Sequence, residues 1–459
     1  MRDVAVIGAG PAGLAAAVTA ATAGLDVALL DAGPRPGGQY YRHHAEATGE
    51  SHRGWAAFAH LRDRLDRLTY LPVHRVWHVE PGFTAHAVAG DRDERPVRVR
   101  ARVLIVAAGA HDRSLPFPGW DLPGVFTAGG AQALVKGDRV TPGSRVVVAG
   151  TGPFLLPAAT GLAGAGATVA GVFEGNRPYA FAPHVARHPD KALEAAGYVV
   201  ALARHRIPYR LGHAVTEAHG RDRVEAVTVA RLDRDWSPVS EHRVECDALA
   251  VGYGFTPQLE IPLQLGCATR VDADGSLVAA VDAAQRTSVP GVYAAGETTG
   301  VGGAQLSLVE GELAGLAAVT ALTGTAPSSR AHLRRLVTAR RRLRAFAIAL
   351  HHAHPVRDGW MGRLREDTLV CRCEEVTAGG LAEAIALGAT DPRSAKLLSR
   401  AGMGRCQGRV CGYATALLTG AASGREPDAD DLAGLARRPL AQPVRLRHLA
   451  ADDPDHDHS

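Results

Sequence analysis

The sequence has no run of about 18 apolar residues that is free of both glycine and charge, and a membrane-spanning helix requires such a run. It also has little net charge, because 51 Lys and Arg residues against 47 Asp and Glu residues leave only +4. So small an excess does not indicate a nucleic-acid partner. A secretory leader is not expected, since the first apolar residues, Val4 to Ile7, already form a strand-like run. We therefore expect a cytoplasmic protein with no transmembrane segment.

Cysteine is scarce and unevenly distributed. Of six cysteines, Cys246 and Cys267 are isolated, and four fall between residues 371 and 411. Structural disulfides are rare in the cytoplasm, so the cysteines need another explanation. The two isolated thiols are predicted to be small buried apolar side chains.

A glycine-rich turn lies at the start of the chain. The apolar run that ends at Ile7 leads into Gly8-Ala-Gly-Pro-Ala-Gly13, and an alanine-rich run follows. This order predicts a strand, a phosphate-binding turn and a helix. In such turns the first glycine permits a tight bend, the second admits a pyrophosphate, and the third lets helix and strand pack closely. Asp31 ends the next predicted strand, where an acid accepts a ribose hydroxyl. The predicted dinucleotide site consists of Gly8, Gly10, Pro11, Ala12, Gly13 and Asp31; the alternative is a turn with no ligand.

The same pattern begins again after Pro142. Arg145 to Gly150 predicts a strand, a turn containing Gly152 follows, and Glu174 lies 24 residues after Gly150, against 23 in the first pattern. The repeat indicates two nucleotide-binding folds, the second inserted into the first. Its third glycine position holds Leu155, whose side chain is expected to hold the helix away from the strand. We favour a structural repeat here, with NAD binding at Gly150, Gly152 and Glu174 as the alternative.

A later stretch approaches the same kind of ligand. Thr287 to Glu297 predicts a strand that ends at Gly296-Glu297, and a helix is predicted from Gln305. A turn of small residues with an acid, at the start of a helix, suits a ligand rich in phosphate and hydroxyl groups.

Four cysteines form a compact set near the C-terminus. One residue separates Cys371 from Cys373, and four separate Cys406 from Cys411. Zinc sites usually pair cysteines across two to four residues, so the first spacing is too tight for that pattern. A 2Fe–2S cluster takes four thiolates, which close pairs on two facing turns would provide. We predict a cluster on these four residues, with zinc as the alternative.

Up to about residue 325 the chain resembles the two-dinucleotide-domain flavoproteins of the pyridine nucleotide-disulfide oxidoreductase superfamily. The resemblance rests on the first glycine turn, Asp31, Pro36-Gly-Gly-Gln39, Val106-Ala-Ala-Gly109 and Gly291-Val-Tyr-Ala-Ala-Gly-Glu297. It implies FAD, with its pyrophosphate on the glycine turn and its adenosine ribose on Asp31. The further contacts it implies are Gly38 and Gln39 along the flavin side, the Val76 backbone at the adenine, Ala108 and Gly109 at the adenine end, and Gly296 and Glu297 at the ribityl chain and pyrophosphate.

Two departures from the superfamily pattern bear on activity. The superfamily usually has Asp where Glu297 stands. Members that reduce disulfides carry a redox cysteine pair beside the flavin, which Cys246 and Cys267 do not form. Disulfide reduction is therefore not expected.

The cysteine set resembles the 2Fe–2S domain of bacterioferritin-associated ferredoxin (BFD), although its last pair is wider than the two-residue spacing usual there. A two-dinucleotide-domain flavoprotein with such a C-terminus resembles the larger, α-type components of hydrogen cyanide synthase, opine oxidases and hydroxyproline/proline dehydrogenases. Leu155, the Pro116 to Val125 run and Cys406-Gln-Gly-Arg carry the match. The family implies a partner, the D-amino-acid-oxidase-like β subunit, which oxidises the amine. A small ferredoxin-like subunit is a further candidate partner, and this chain would handle the electrons.

Three functions are therefore open. The chain could be the FAD- and 2Fe–2S-containing electron-transfer subunit of a dehydrogenase or oxidase for an amino or imino acid, which we favour. It could be a stand-alone NAD(P)H-dependent ferredoxin or acceptor reductase, or a nucleotide-bound scaffold without redox turnover. The first site could also hold an adenine nucleotide such as ATP, because the glycine turn and Asp31 recognise the part that ATP and FAD share. No catalytic residue is identified.

The expected fold class is α/β, with two Rossmann-like domains of the glutathione-reductase type, the second inserted in the first, and a small helical 2Fe–2S domain. The expected FAD domain covers 1–113 and 270–325, and the NAD(P)-binding-like domain covers 114–269. A helical linker at 326–368, the cluster domain at 369–424 and a tail at 425–459 complete the chain. Within the cluster domain, Thr377 is predicted to cap a helix that Gly388 stops.

Two polar stretches have weaker signals. Seven arginines lie between Arg330 and Arg344, and a solvated helix face is favoured over docking to an acidic partner or to nucleic acid. His351, His352 and His354 are expected to lie exposed in a linker rather than to bind metal. The polar end from residue 452 is expected to be disordered.

Overall fold

The computed structural model describes residues 1–47, 49, 53–181, 184, 189–434 and 436–450. The expected disordered end lies outside this range. The chain forms two compact units, one of residues 1–110, 257–347 and 436–459, and one of residues 111–256 and 348–435. The second unit thus interrupts the first in sequence, as the internal repeat indicated.

The first unit is built on a parallel sheet of β-branched and alanine residues. Arg2–Ile7 lies centrally, with Val4 opposite both Val27 and Val103. The strand order is that of a dinucleotide-binding fold, and it reads Thr69–Leu71, Val27–Leu30, Arg2–Ile7, Arg95–Val106 and Val292–Ala294.

One long strand belongs to two sheets. The second half of Arg95–Val106 lies in the parallel sheet, whereas its first half pairs antiparallel with Thr84–Ala89, which pairs with His74–Glu80. The solvent-facing residues of the first half alternate with buried ones, and the second half is buried throughout its last four residues. The two halves therefore connect an antiparallel meander to the parallel sheet.

Two helices pack against each other in this unit at a distance that only small residues permit. An added Cβ at Gly311, in helix Gly303–Thr323, would lie 2.0 Å from the carbonyl oxygen of Ala12, in helix Pro11–Thr22. Within the described part of the chain, Gly303–Thr323 is the one helix long and apolar enough to cross a membrane, and 56% of its most apolar window is buried inside the protein.

The remaining elements of the first unit are short, apart from one long helix that begins in it. They are Trp55–Arg62, a 3₁₀ turn at Leu65–Arg67, Glu260–Gln264, the hairpin of Thr269–Val271 and Leu277–Ala279, a 3₁₀ turn at Gly296–Thr299, the helix Arg330–Ala353 and the helix Leu446–Ala450.

The second unit repeats the parallel sheet. Arg145–Gly150 is again central, between Thr168–Glu174 and Ala248–Gly252. Tyr209–Leu211 and Val125–Thr127 form the two edges. An antiparallel sheet follows, made of His213–His219, Ala226–Leu232 and Pro238–Glu245.

The helices of the second unit cover its sheet and form its C-terminal lobe. Around the sheet lie Ala128–Ala133 with a π-helical turn Leu134–Asp138, then Leu155–Gly164, a 3₁₀ turn Tyr179–Phe181, Pro189–Arg204 and a 3₁₀ turn Asp358–Arg363. The lobe contains the strands Leu369–Cys371 and Val376–Thr377 and the helices Ala378–Ala386, Pro392–Ser399, Gly412–Ala422 and Ala429–Gly434. Short strands at Ala110–Asp112 and Phe255–Pro257 stand at the ends of the inserted segment.

One apolar core joins the sheet of the second unit to its C-terminal lobe. Trp120, Trp236 and Trp360 are buried in it, and Ala414 of the lobe packs among them. The lobe is therefore part of the second unit rather than an appendage on a flexible linker.

The structure corrects two expectations about the segments around this lobe. His351 and His352 lie in the last turn of helix Arg330–Ala353, and His352 is exposed as expected, whereas His351 and His354 are partly buried. The segment expected as a tail contains two helices, and Ala441 donates its backbone N–H to the Trp77 carbonyl oxygen at 2.7 Å.

The close contact at Gly311 gives a test of the fold. Gly311→Ala places a methyl group against the Ala12 carbonyl oxygen, so we expect a loss of about 1–3 kcal/mol in the free energy of unfolding. The matched control is Gly161→Ala, a helical position with open space around it, where the same change should stabilise by up to about 1 kcal/mol. Calorimetry measures the change in the free energy of unfolding for both variants. An unchanged free energy of unfolding in Gly311→Ala would contradict the close packing of the two helices.

Candidate functional site

The first glycine turn has the geometry of a pyrophosphate cradle. Gly8 has φ +101°, and an added Cβ there would lie 2.3 Å from the Ala107 carbonyl oxygen. An added Cβ at Gly13 would lie 1.7 Å from the Gly8 carbonyl oxygen, which brings helix and strand together. At Gly10 the nearest atom would be 4.0 Å away, so the middle of the turn is open. No side chain caps the helix that starts at Pro11, which leaves its first N–H groups facing this space.

Two other predicted segments lie against this turn. The Gly37 N–H donates to the Ala9 carbonyl oxygen at 2.7 Å, and an added Cβ at Gly38 would lie 2.8 Å from Gly10 Cα. An added Cβ at Gly296 would lie 2.8 Å from Ala12 Cβ. The structure thus brings together three stretches that are far apart in the sequence.

The ribose end of the cradle is formed around Asp31. Its carboxylate accepts the Ala9 N–H at 2.5 Å and the Gly33 N–H at 2.7 Å, and the residue remains partly exposed. Burial raises the pKa of Asp31, although the two backbone N–H groups act in the opposite direction. The buried hydroxyl of Tyr70 has no hydrogen-bond partner among the described residues, and burial, with the nearby Asp31 charge, raises its pKa. An unpartnered donor beside a carboxylate fits a site for ribose hydroxyls.

The other predicted FAD contacts differ in how directly hydrogen bonds connect them to the first turn. The Ala107 N–H donates to the Ile7 carbonyl oxygen at 2.8 Å, which sets Ala108 and Gly109 beside the turn. Val76 lies in strand His74–Glu80, and the N–H of His74 donates to the Asp31 carbonyl oxygen at 2.7 Å. The Gln39 side chain is exposed and accepts hydrogen bonds from Arg42. Only the backbone of Gln39 therefore follows the turn.

A buried ion pair supports the turn at Gly296. The Glu310 carboxylate accepts the Gly296 N–H at 3.1 Å and the Thr299 hydroxyl at 2.9 Å, and Arg340 Nε donates to it at 3.0 Å. Burial raises the pKa of Glu310 against the opposing charge of Arg340. Thr298, in the same turn, has a buried hydroxyl with no partner among the described residues. Arg340 is therefore one arginine of the basic helix that points inward, contrary to the expectation of a solvated face.

The second glycine turn is closed by its own domain. The Glu174 carboxylate is fully buried and accepts the Thr151 hydroxyl at 2.8 Å, the Gly152 N–H at 2.8 Å and the Asn176 N–H at 3.0 Å. Leu155 is buried over Gly252, whose missing side chain leaves room for it.

The chain that follows the long helix completes this closure. The Asn176 amide donates to the Thr151 hydroxyl at 2.7 Å and to the Pro355 carbonyl oxygen at 2.9 Å. His354 Nδ1 lies 3.4 Å from Glu174 Oε2, with its side chain 9% exposed. A ligand that used Glu174 and Gly152 would have to displace these groups, which favours the structural repeat over a dinucleotide site at Gly150, Gly152 and Glu174.

The four clustered cysteines come together as two pairs. The thiol of Cys371 is within hydrogen-bonding reach of Cys411, and that of Cys373 is within reach of Cys406. Cys371 and Cys411 are buried, Cys373 is exposed and Cys406 is half-buried. Two thiolates for each of two irons is the arrangement that a 2Fe–2S cluster needs.

Local donors favour thiolate at Cys371, one member of the inner pair. Cys411 and the backbone N–H groups of Gly402, Glu374 and Cys373 lower the pKa of Cys371 to about 5. The neighbouring Cys371 thiol, together with burial, raises the pKa of Cys411. Backbone N–H groups directed at ligand sulfur atoms also adjust the potential of a bound cluster.

The cluster lobe is held to the sheet of the second unit by polar and aromatic contacts. Trp120 Nε1 donates to the Leu369 carbonyl oxygen at 2.6 Å, and the Arg372 guanidinium lies 5.0 Å from the Trp120 ring. The Arg113 guanidinium lies 4.1 Å from the Tyr413 ring. These contacts fix the strands and helices that carry the cysteines.

The isolated cysteines are buried, as predicted. Burial raises the pKa of Cys246 to about 11 and also raises the pKa of Cys267. Both therefore remain unreactive thiols at neutral pH.

Sequence reasoning missed five residues that the structure shows to shape these sites. Tyr70, Glu310 and Arg340 support the first turn, and Asn176 and His354 close the second. The sequence offered one signal, the asparagine two residues after Glu174, because a polar side chain at that position can form hydrogen bonds within the turn, as the Asn176 amide does with the Thr151 hydroxyl. The other contacts join residues 30 or more positions apart, except the bonds from Glu310 to Gly296 and Thr299, which span 14 and 11 positions.

Comparisons with known proteins agree with this geometry. Residues 2–318 match the profile of the family described as pyridine nucleotide-disulphide oxidoreductase, and residues 369–418 match that of the BFD-like [2Fe-2S] binding domain. Hydrogen cyanide synthase subunit HcnB of Pseudomonas aeruginosa is 34% identical over 424 residues, which cover 89% of this chain and 90% of that protein. The opine oxidase A protein of Agrobacterium tumefaciens, one of the subunits of that oxidase, is 34% identical over 472 residues, covering 98% and 91%.

A solved structure shows the same fold over nearly the whole chain. L-proline dehydrogenase from P. horikoshii superposes with a TM-score of 0.71 at 23% sequence identity, covering 98% of this chain and 79% of that one.

The closed second turn gives a prediction about stability. Glu174→Ala would leave the Thr151 hydroxyl and the Gly152 and Asn176 N–H groups without their acceptor, so we expect a loss of about 3 kcal/mol or more. Thermal unfolding by calorimetry measures it, with exposed Glu225→Ala as the control that should change stability by less than about 0.5 kcal/mol. Equal stability of the two variants would show that the turn is open.

The cysteine pairs give a prediction about metal content. Cys371→Ala removes one ligand of the inner pair, so iron should fall from about two atoms per chain to near zero, with loss of the visible charge-transfer bands. Cys246→Ala, a buried thiol outside the set, should keep both. Iron analysis and the visible spectrum decide, and stoichiometric zinc in the parent protein would favour the alternative metal.

Proposed function

Because the chain belongs to the pyridine nucleotide-disulphide oxidoreductase family and ends in a BFD-like [2Fe-2S] domain, we propose that it is the electron-transfer subunit of a multi-subunit dehydrogenase or oxidase that acts on an amino or imino acid. It is an FAD-dependent oxidoreductase, and its relatives are subunits of hydrogen cyanide synthase and of opine oxidase. When bound, FAD converts two-electron to one-electron chemistry, and a 2Fe–2S cluster accepts single electrons.

The observation that carries this proposal is the closed second turn. A stand-alone reductase would take its electrons from NAD(P)H at that fold, but Glu174 and Gly152 are bonded to each other and are covered by His354 and Asn176. Neither isolated cysteine offers a disulfide route. This closure supports the delivery of electrons to the chain by another protein, as membership of an oxidase complex implies.

The residues proposed to hold FAD line the first turn. Gly8, Gly10 and Gly13 leave room for the pyrophosphate. Pro11 and Ala12 begin the helix whose first N–H groups face that space. Asp31 would accept ribose hydroxyls. The contacts proposed on family grounds are the backbones of Gly38, Gln39 and Val76, the turn at Ala108 and Gly109, and Gly296 with Glu297.

The partner is proposed to be a D-amino-acid-oxidase-like subunit that binds and oxidises the substrate. A small ferredoxin-like subunit is a further proposed member of the complex. The relatives' names support a hetero-oligomer. A reducing cytoplasm is the proposed compartment, because Cys371, Cys373, Cys406 and Cys411 must remain thiols until the cluster is assembled.

An anaerobic titration tests the function. The purified chain should show flavin and cluster absorbance, and millimolar NADH or NADPH should leave the flavin band unbleached, whereas dithionite should bleach it. Addition of the partner subunit with its amino-acid substrate should then bleach it without a nicotinamide nucleotide. Rapid bleaching by NADH would overturn the proposal in favour of a stand-alone reductase, and release of ATP without flavin would show that the first site holds only an adenine nucleotide.

A further inference from the structure

The two cysteine pairs differ sharply in their access to solvent. Cys371 and Cys411 are 1% and 2% exposed, whereas Cys373 is exposed and Cys406 is half-buried. A cluster held by these four residues would be open to solvent on the side of Cys373 and Cys406. An electron carrier could approach only the surface pair.

Three large apolar side chains are exposed in the segment that leads to that pair. Leu397 and Leu398 are 69% and 52% exposed, and Met403 is 37% exposed. Large exposed apolar side chains close together mark an interaction surface more often than a solvated one. These three residues lie just before and after Arg400, which ends helix Pro392–Ser399.

Contacts along the chain place this apolar surface beside the cysteines. The Arg400 guanidinium donates to Glu374 Oε2 at 2.7 and 2.9 Å. The Gly402 N–H points to Cys371 Sγ at 3.5 Å, and an added Cβ at Gly404 would lie 2.3 Å from Cys373 Cβ. Met403 stands between these two glycines, so it borders the exposed thiol.

The same segment is strongly basic. Between Pro392 and Arg409 the chain has five basic residues and no acidic residue, namely Arg393, Lys396, Arg400, Arg405 and Arg409. Among the acidic residues near this segment, Glu374 of the cysteine loop is bonded to Arg400, and Asp391 caps helix Pro392–Ser399. Asp431, in the helix Ala429–Gly434 that packs on it, is bonded to Arg425. Glu375, beside Glu374, is a further acidic residue of the cysteine loop. Charge at the rim of an interface selects a partner of opposite sign and speeds the encounter.

We propose that this face, formed by Cys373, Cys406, Leu397, Leu398, Met403 and the basic residues around them, is the electron-exit surface and that it docks an acidic one-electron carrier protein. The proposal rests on the proposed function, because it assumes a cluster at the cysteines. One electron passes to the metal centre of the carrier, the chain is oxidised by one electron, and no bond or proton is exchanged. A small apolar centre with a charged rim suits such a brief encounter.

Binding of carrier proteins of opposite charge tests the proposal. The full-length chain is titrated with redox-inactive, zinc-substituted plastocyanin, which is acidic, and with zinc-substituted cytochrome c, which is basic. Plastocyanin should bind more tightly, and its affinity should fall with added salt. Arg393→Glu/Arg405→Glu should weaken its binding about tenfold. Leu397→Gln/Leu398→Gln should weaken it with the salt dependence unchanged.

The control is Arg334→Glu/Arg335→Glu, an equal charge change on two exposed arginines of helix Arg330–Ala353, which should leave the affinity unchanged. Tighter binding of cytochrome c, or equal weakening by the control, would overturn the proposal. The iron content and visible spectrum of every variant show that the lobe is folded. A chain without iron would refute the proposed function itself, whereas an iron-loaded chain with no preference for the acidic carrier would refute only the docking surface.

Discussion

The close approach of Gly13 to the carbonyl oxygen of Gly8 is the constraint on which the first unit depends. Because neither residue has a side chain, the helix starts directly over the end of the central strand, and its free N–H groups face the open middle of the turn. Helix Gly303–Thr323 then packs against this first helix through Gly311 and Gly315, and the Gly296 turn before it lies against Ala12. A binding cradle assembled from three distant segments thus follows from a few positions that accept only hydrogen atoms.

Much of this could be predicted from the sequence, because the signals are local. The apolar runs, the glycine spacing and the acid at each second strand correctly indicated two dinucleotide folds, and the family relationship is confirmed over residues 2–318 and 369–418. Thr377 caps its helix as predicted, since its hydroxyl accepts the Gly380 N–H. The FAD contacts at the individual residues stay predictions.

What the sequence could not show depends on contacts between distant residues. The inward direction of Arg340 and the covering of Glu174 by His354 are decided by how a long helix packs, and composition does not reveal that. The same holds for the C-terminal lobe. Its cysteine spacing indicated a metal centre, but the shared buried core of Trp120, Trp236, Trp360 and Ala414 shows that the second fold supports the lobe. A domain with the fold of a nucleotide-binding domain thus supports the lobe that contains the cysteines.

Because the second turn is closed, the two folds also differ in whether their stability depends on a bound ligand. A site that binds its ligand only when folded gains stability with ligand concentration, by RT ln(1 + [L]/Kd). The first turn, with open space at Gly10 and an unpartnered Tyr70 hydroxyl, is of this kind. In the second, the Thr151, Gly152 and Asn176 donors already have an acceptor inside the domain. A cell short of flavin would therefore weaken the first fold while the second turn kept its full set of hydrogen bonds.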